Sequence, residues 1–134
     1  MNTTTKEKRE NKRAFFTLED NITAAIETQK KPFKKVPVTL LSISARGISF
    51  LIARQKISGI EDGDRLTVSG IDAPHPLGFI DTAEAEIKYI LDFEVNIRVA
   101  IGCEFIKISE IDVEKIENYV AYRLREMGLD EKTK

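Results

Sequence analysis

The sequence predicts a mainly β fold: an antiparallel β-barrel of six or seven strands, preceded by a flexible basic N-terminal arm and followed by one C-terminal amphipathic helix. Three observations predict it. Between Phe15 and Phe105, apolar and polar residues alternate at period two in several short runs. Clusters of Gly, Pro, Asp and Ser separate those runs at turn-like intervals. From Ser109 onward the apolar spacing changes to three and four residues, the spacing of one helix face. Many short strands followed by a single helix fit a small barrel closed or covered by that helix.

Residues 1–13 hold three consecutive threonines and then mixed charge without an apolar period, which predicts a flexible arm. From Phe15 the segment FFTLEDNITAAIETQ places Phe16, Leu18, Ile22, Ala24 and Ile26 on one face, which predicts a long strand with an irregularity near Asp20 and Asn21. KKPFKKVP is a basic connector. VPVTLLSIS and GISFLIAR predict two strands meeting in a tight turn at Ala45, Arg46 and Gly47. EDGD is a turn, RLTVSGI a short strand, and DAPHPLG a loop. Next, Ala85, Ile87, Tyr89 and Leu91 alternate with Glu84, Glu86 and Lys88. After a short connection at Asp92–Glu94, Val95, Ile97, Val99, Ile101, Cys103 and Phe105 alternate with Asn96, Arg98 and Glu104, predicting a hairpin. In the final segment Val113, Ile116, Val120, Leu124 and Met127 form the apolar face of a helix. Ser109 with Asp112 resembles a capping box, and Gly128 is a natural stop. The predicted organisation is an arm over 1–13, one domain over 14–128 and a frayed tail over 129–134.

The 134 residues suffice for one core without disulfide or metal staples. A formal net charge of −1 argues against general nucleic-acid or membrane binding. That total hides an asymmetry: residues 6–13 carry five basic and two acidic side chains, and Lys30, Lys31, Lys34 and Lys35 form a second basic cluster. Two local positive patches on a balanced chain point to a small anionic partner rather than a nucleic-acid polymer. Cys103 is the single cysteine, so no intramolecular disulfide forms, and a reducing, cytoplasmic setting is expected. No run approaches the roughly 18 apolar residues of a membrane-spanning helix.

Enzyme constellations are missing. His75, the one histidine, stands between two prolines without a nearby cysteine, which is no metal or catalytic site. Cys103 belongs to an inward-facing set and reads as a small buried hydrophobe. Glu84 and Glu86 share a face that a solvated barrel exterior explains. Glu61–Asp64 lacks the spaced ligands of a calcium loop. No Walker loop or G-x-S-x-G elbow occurs. The chain is therefore expected to be no enzyme and to need no cofactor.

Two short motifs remain, Arg9–Glu10–Asn11–Lys12–Arg13 and Ser42–Ile43–Ser44–Ala45–Arg46–Gly47, with Arg13 and Ser42 29 positions apart. In order and separation they resemble the R-x-x-x-R and [D/N]-x-S-x-x-G signatures of the PilZ domain, the bacterial receptor module for cyclic di-GMP. The ending, Ile101–Gly102–Cys103–Glu104–Phe105 with an amphipathic helix behind it, is similar as well. The resemblance implies a cyclic di-GMP site made by Arg9, Arg13, Ser42, Ser44 and Gly47. Arginine suits both halves of such a ligand, since its planar fork binds phosphate oxygens or the guanine O6/N7 edge and stacks on bases. It also implies that the arm wraps the ligand against the barrel and signals to a protein effector by becoming ordered.

One position departs from the signature: Ser42 stands where the family has Asp or Asn. A hydroxyl offers a guanine edge less than a carboxylate or amide does, a difference of about 1–3 kcal/mol. Two functional readings follow. One is a cyclic di-GMP receptor and adaptor; the other is an adaptor with the same fold that binds no nucleotide and works through contacts with motility, pilus or exopolysaccharide machinery. Arg46 and Arg98 fill no motif position and are left out of the expected site.

Overall fold

The computed structural model describes residues 12–31, 34–73, 77–92, 97–126 and 128. Arg9, His75, Val95, Met127 and the tail 129–134 lie outside the described residues, as do residues 1–11 of the expected arm. The chain forms β1 (Arg13–Phe15), β2 (Thr23–Thr28), β3 (Val36–Ser44), β4 (Gly47–Ala53), β5 (Arg65–Ser69), β6 (Ile71–Ala73), β7 (Gly78–Ile80), β8 (Ala83–Leu91), β9 (Arg98–Lys107) and α1 (Glu110–Glu126). The antiparallel order β3-β2-β5-β8-β9-β4 closes through a β3–β4 pairing into a six-stranded barrel, and β1 adds to β3 as an outer strand. β6 and β7 make a separate two-stranded ribbon. An antiparallel barrel of this size with a C-terminal helix is what the periodicity predicts; the outer strand β1 is an addition that it does not.

Alternation builds the core. Leu40, Phe50, Ile52, Ile87, Val99 and Ile101 are all fully buried inside the barrel, each contributing about 1.5–3 kcal/mol for a side chain of this size. Burial likewise explains Cys103, which is 6% exposed. Its thiol is pushed up to about 12 by desolvation, so it sits in the fold as a neutral small hydrophobe.

Three departures from the expected pattern have local causes. The long strand from Phe15 is broken by a 3₁₀ turn at Leu18–Asp20. Thr17 Oγ1 accepts from the Asp20 N–H at 3.2 Å, and Asp20 Oδ2 accepts from the Thr17 N–H at 2.8 Å. Asn21 then turns the chain with φ 49°. Leu18 consequently points to solvent, 56% exposed, instead of joining the core. Secondly, the DAPHPLG loop is flanked by strand pairing, because Asp72 and Ala73 belong to β6 and Gly78 opens β7. Thirdly, the β8–β9 register shifts between Ile87 and Tyr89. Past this bulge Tyr89 and Leu91 face outward, although period two placed them inside. Ile97, expected inward as well, is exposed ahead of β9.

The helix follows its sequence signals. Ser109 Oγ accepts from the Asp112 N–H at 3.1 Å, and Gly128, at φ 72°, donates its N–H to the Arg125 carbonyl at 3.1 Å. Ile116, Tyr119 and Val120 are buried, and Val113 and Leu124 are half-buried. Asp112 is buried too, and its carboxylate accepts from the Asp81 N–H at 3.2 Å. The helix lies on β1, β3 and β7, with the Tyr119 ring stacked on Phe16 at 6.0 Å. No helix among the described residues is long and apolar enough to cross a membrane.

Candidate functional site

β1 brings Arg13, the end of the first motif, onto the second. Its register on β3 pairs Arg13 with Ser44, Ala14 with Ile43 and Phe15 with Ser42. Ala14 and Ile43 turn into the core, so Arg13, Phe15, Ser42 and Ser44 share the outer face. Arg13, which the sequence pattern assigns to the arm, is thus the first residue of the sheet. Its guanidinium spans both serines: Nη1 donates to Ser42 Oγ at 2.7 Å and Nη2 to Ser44 Oγ at 3.3 Å. Beneath it the serines are almost fully buried.

Each serine has a further partner. Ser42 Oγ shares a 2.6 Å hydrogen bond with Ser49 Oγ on β4. Ser44 Oγ accepts from the N–H groups of Arg46 at 3.2 Å and Gly47 at 3.3 Å, which ties the β3–β4 turn. Gly47 has a clear reason to be glycine. A Cβ there would stand 2.0 Å from the Cys103 carbonyl oxygen, on the neighbouring strand β9, where Gly47 pairs with Glu104.

In front of Arg13 and Ser42 lies an open groove of about 370 Å³ on the outside of the barrel. Arg13 and Phe15 form its near wall on β1, with Ser42 and Ser49 in its floor. The far wall comes from β8 and β9, where Lys88, Tyr89, Gly102 and Glu104 line it, and Arg46 stands at the turn. Ser44 and Gly47 do not line the groove; they lie behind it and shape the turn. Arg98 is at the other end of β9, opposite Ala53.

The groove is electropositive, with Arg13, Arg46 and Lys88 set against one carboxylate, Glu104. Glu104 Oε2 lies 3.4 Å from Arg46 Nη2, and Oε1 lies 3.7 Å from Lys88 Nζ. Lys88 is also 3.0 Å from Glu86 Oε2, and these two carboxylates, Glu86 foremost, raise its ammonium above the ordinary lysine value. Such a site suits a ligand with negative charge and flat apolar faces. Among the described residues no cluster of three or more His, Cys, Asp or Glu side chains gathers to hold a metal.

Sequence reasoning missed Ser49, Lys88, Tyr89 and Glu104 as groove residues, and left Arg46 aside. Ser49 carried a signal, being two residues from Gly47 on the partner of the motif strand. The others reach the groove only through the β9–β4 pairing and the β8 bulge, neither of which has a local signature.

Comparison with known proteins agrees with this architecture. The PilZ domain family matches residues 7–122. The structure is similar to the Bacillus subtilis inhibitor of motility (MotI/DgrA), with TM-score 0.68 at 18% identity over 85% of this chain and 50% of that one. It is similar to the PilZ domain of Escherichia coli YcgR, solved with cyclic di-GMP, with TM-score 0.61 at 14% identity over 86% of this chain and 90% of that one. Borreliella burgdorferi PlzA, solved in complex with cyclic di-GMP, gives TM-score 0.56 at 11% identity over 90% of this chain and 54% of that one. At such identities the likeness is one of fold, and the chain spans about half the length of the first and third proteins. No curated protein matches the sequence. PilZ domains are non-catalytic receptor and adaptor modules, and relatives bind cyclic di-GMP. With a family match over residues 7–122, most of its length, the chain belongs to the PilZ domain family.

Proposed function

We propose that this PilZ domain binds cyclic di-GMP in the groove across β1, β3, β4, β9 and β8, and passes the signal to a protein effector through its N-terminal arm. The observation that carries this reading is the Arg13 guanidinium held over Ser42 and Ser44 at the mouth of an electropositive groove. Arginine placed this way meets a phosphate or a guanine edge with little loss of side-chain freedom. Arg9 supplies the second clamp in this reading, with residues 1–13 acting as the arm and 14–128 as the receiving domain. Ser42 and Ser49 offer hydroxyls to the base, Ser44 holds the turn, and Gly47 lets β9 close behind it. A lone buried thiol fits a reducing cytoplasm.

One observation favours a second reading. Ser42 is already engaged by Arg13 and Ser49, so this departure from the signature is internally satisfied without a ligand. In that case the domain is an adaptor that binds no nucleotide and works by protein contacts alone.

Calorimetric titration with cyclic di-GMP separates the two, using the Arg9→Ala/Arg13→Ala variant and GTP as controls. Saturable binding by the wild type that the variant loses, with thermal unfolding of the unliganded protein little changed, is the expected result. The absence of any heat or thermal shift at high ligand concentration retires the receptor reading in favour of the adaptor.

A further inference from the structure

The far wall of the groove holds two side chains that the motif residues do not account for. Tyr89 is turned out of the barrel by the β8 bulge, and its ring packs so closely on Gly102 that a Cβ at position 102 would stand 2.0 Å from the ring's Cε2. The tyrosine covers the glycine, which is buried, while remaining 43% exposed itself. Glu104 follows two residues after Gly102 on the same outward face of β9, about 7 Å along the strand. A half-exposed aromatic ring and a carboxylate therefore share one wall of the groove.

Resting on the receptor reading above, we propose that Tyr89 and Glu104 form a guanine subsite, in which the ring stacks on the base and the carboxylate reads its Watson–Crick edge. Guanine presents N1–H and the N2 amino group there as two parallel donors, and a carboxylate accepts both at once. Ser42 has one hydroxyl, already shared with Arg13 and Ser49, and cannot serve two donors. Glu104 is the one carboxylate lining the groove among the described residues. Its contacts with Arg46 and Lys88 are long and solvent-exposed, the kind that contribute little and exchange readily. Adenine would meet the same carboxylate with the lone pair of its N1, so the subsite discriminates between purines by repulsion as well as attraction.

The test uses the full chain with cyclic di-GMP and cyclic di-AMP as probes. Tyr89→Leu keeps an apolar cover on Gly102 but removes the π face. It should weaken cyclic di-GMP binding roughly 5- to 150-fold, the range for losing one base–aromatic stack, while Tyr89→Phe binds as the wild type does. Glu104→Gln should narrow the preference for cyclic di-GMP over cyclic di-AMP by about 5- to 150-fold, as expected for one bidentate base contact. Thermal unfolding of each unliganded variant reports whether the fold is intact. Wild-type affinity and selectivity in folded Tyr89→Leu and Glu104→Gln would overturn the subsite and leave the receptor reading standing. No cyclic di-GMP binding by the wild type overturns both.

Discussion

Arg123 Nη2 donates to the main-chain carbonyl of Phe15 at 3.0 Å, joining α1 to β1 across 108 residues of sequence. As the outer strand, β1 has one edge without a β partner, and this bond satisfies one of its acceptors. The same guanidinium lies 3.7 Å from Asp20 Oδ2 and about 6 Å from the ring centres of Phe16 and Tyr119. One side chain thus holds the first strand, the turn after it and the terminal helix together.

Arg123→Ala removes a charge-assisted hydrogen bond and a cation–π contact, so a loss of about 2–4 kcal/mol is expected. Denaturant unfolding measures it. Amide exchange should accelerate selectively in β1 and the Leu18–Asp20 turn, and Arg123→Lys should recover only part of the loss, since an ammonium cannot span the same partners.

Gly47 and Gly102 should respond differently to alanine. At Gly47 the obstacle is the Cys103 carbonyl, which is backbone, and overpacking there should cost about 1–3 kcal/mol or more. At Gly102 the obstacle is the far end of the Tyr89 ring, which can swing away. Gly102→Ala should therefore unfold closer to the wild type than Gly47→Ala, but with a disturbed groove. Thermal melts of the two variants compare them directly.

Ser42→Asp tests the departure from the family signature. The carboxylate would face Arg13, whose Nη1 already lies 2.7 Å from the serine oxygen, so the new charge arrives paired. Cyclic di-GMP affinity should rise roughly tenfold as an acceptor reaches the guanine that Glu104 does not read. Unchanged affinity in a calorimetric titration would leave the edge reading to Glu104 alone.

The raised Cys103 pKa has a definite sign. Its folded value, about 12, exceeds the ordinary value of 9.0, so the native state keeps a proton that the unfolded chain gives up. The stability linked to this thiol is complete below about pH 9 and is lost progressively as pH climbs toward 12. Cys103→Ala should flatten that decline in pH-dependent unfolding curves. In the native wild type, alkylation at neutral pH should be slow and should proceed through unfolding.

Much of the architecture was legible because a closed barrel imposes strict alternation. Ile87, Val99 and Ile101 announce their burial two by two, and α1 declares itself through Ile116, Val120 and its Ser109 cap. What escaped were events decided between strands. Nothing near Tyr89 announces that β8 gains a residue against β9, since a bulge depends on the partner's register. The irregularity expected near Asp20 and Asn21 is there, but its form, Thr17 and Asp20 hydrogen-bonding each other to end the strand, was not legible because their side chains fit a strand face equally well. The site was half legible for the same reason. Arg13 and Ser42 belong to motifs with fixed separation, whereas Tyr89 and Glu104 become neighbours of Ser42 only once the strand order is known.

The placement of the groove on the barrel's exterior divides labour along each strand. On β3, Ile43 serves the interior while Ser42 floors the groove; on β9, Ile101 does the first task and Glu104 the second. Substitutions that retune ligand choice therefore fall on positions that leave the hydrophobic interior alone. A barrel built this way can exchange one small-molecule preference for another, or give up its ligand altogether, and still fold.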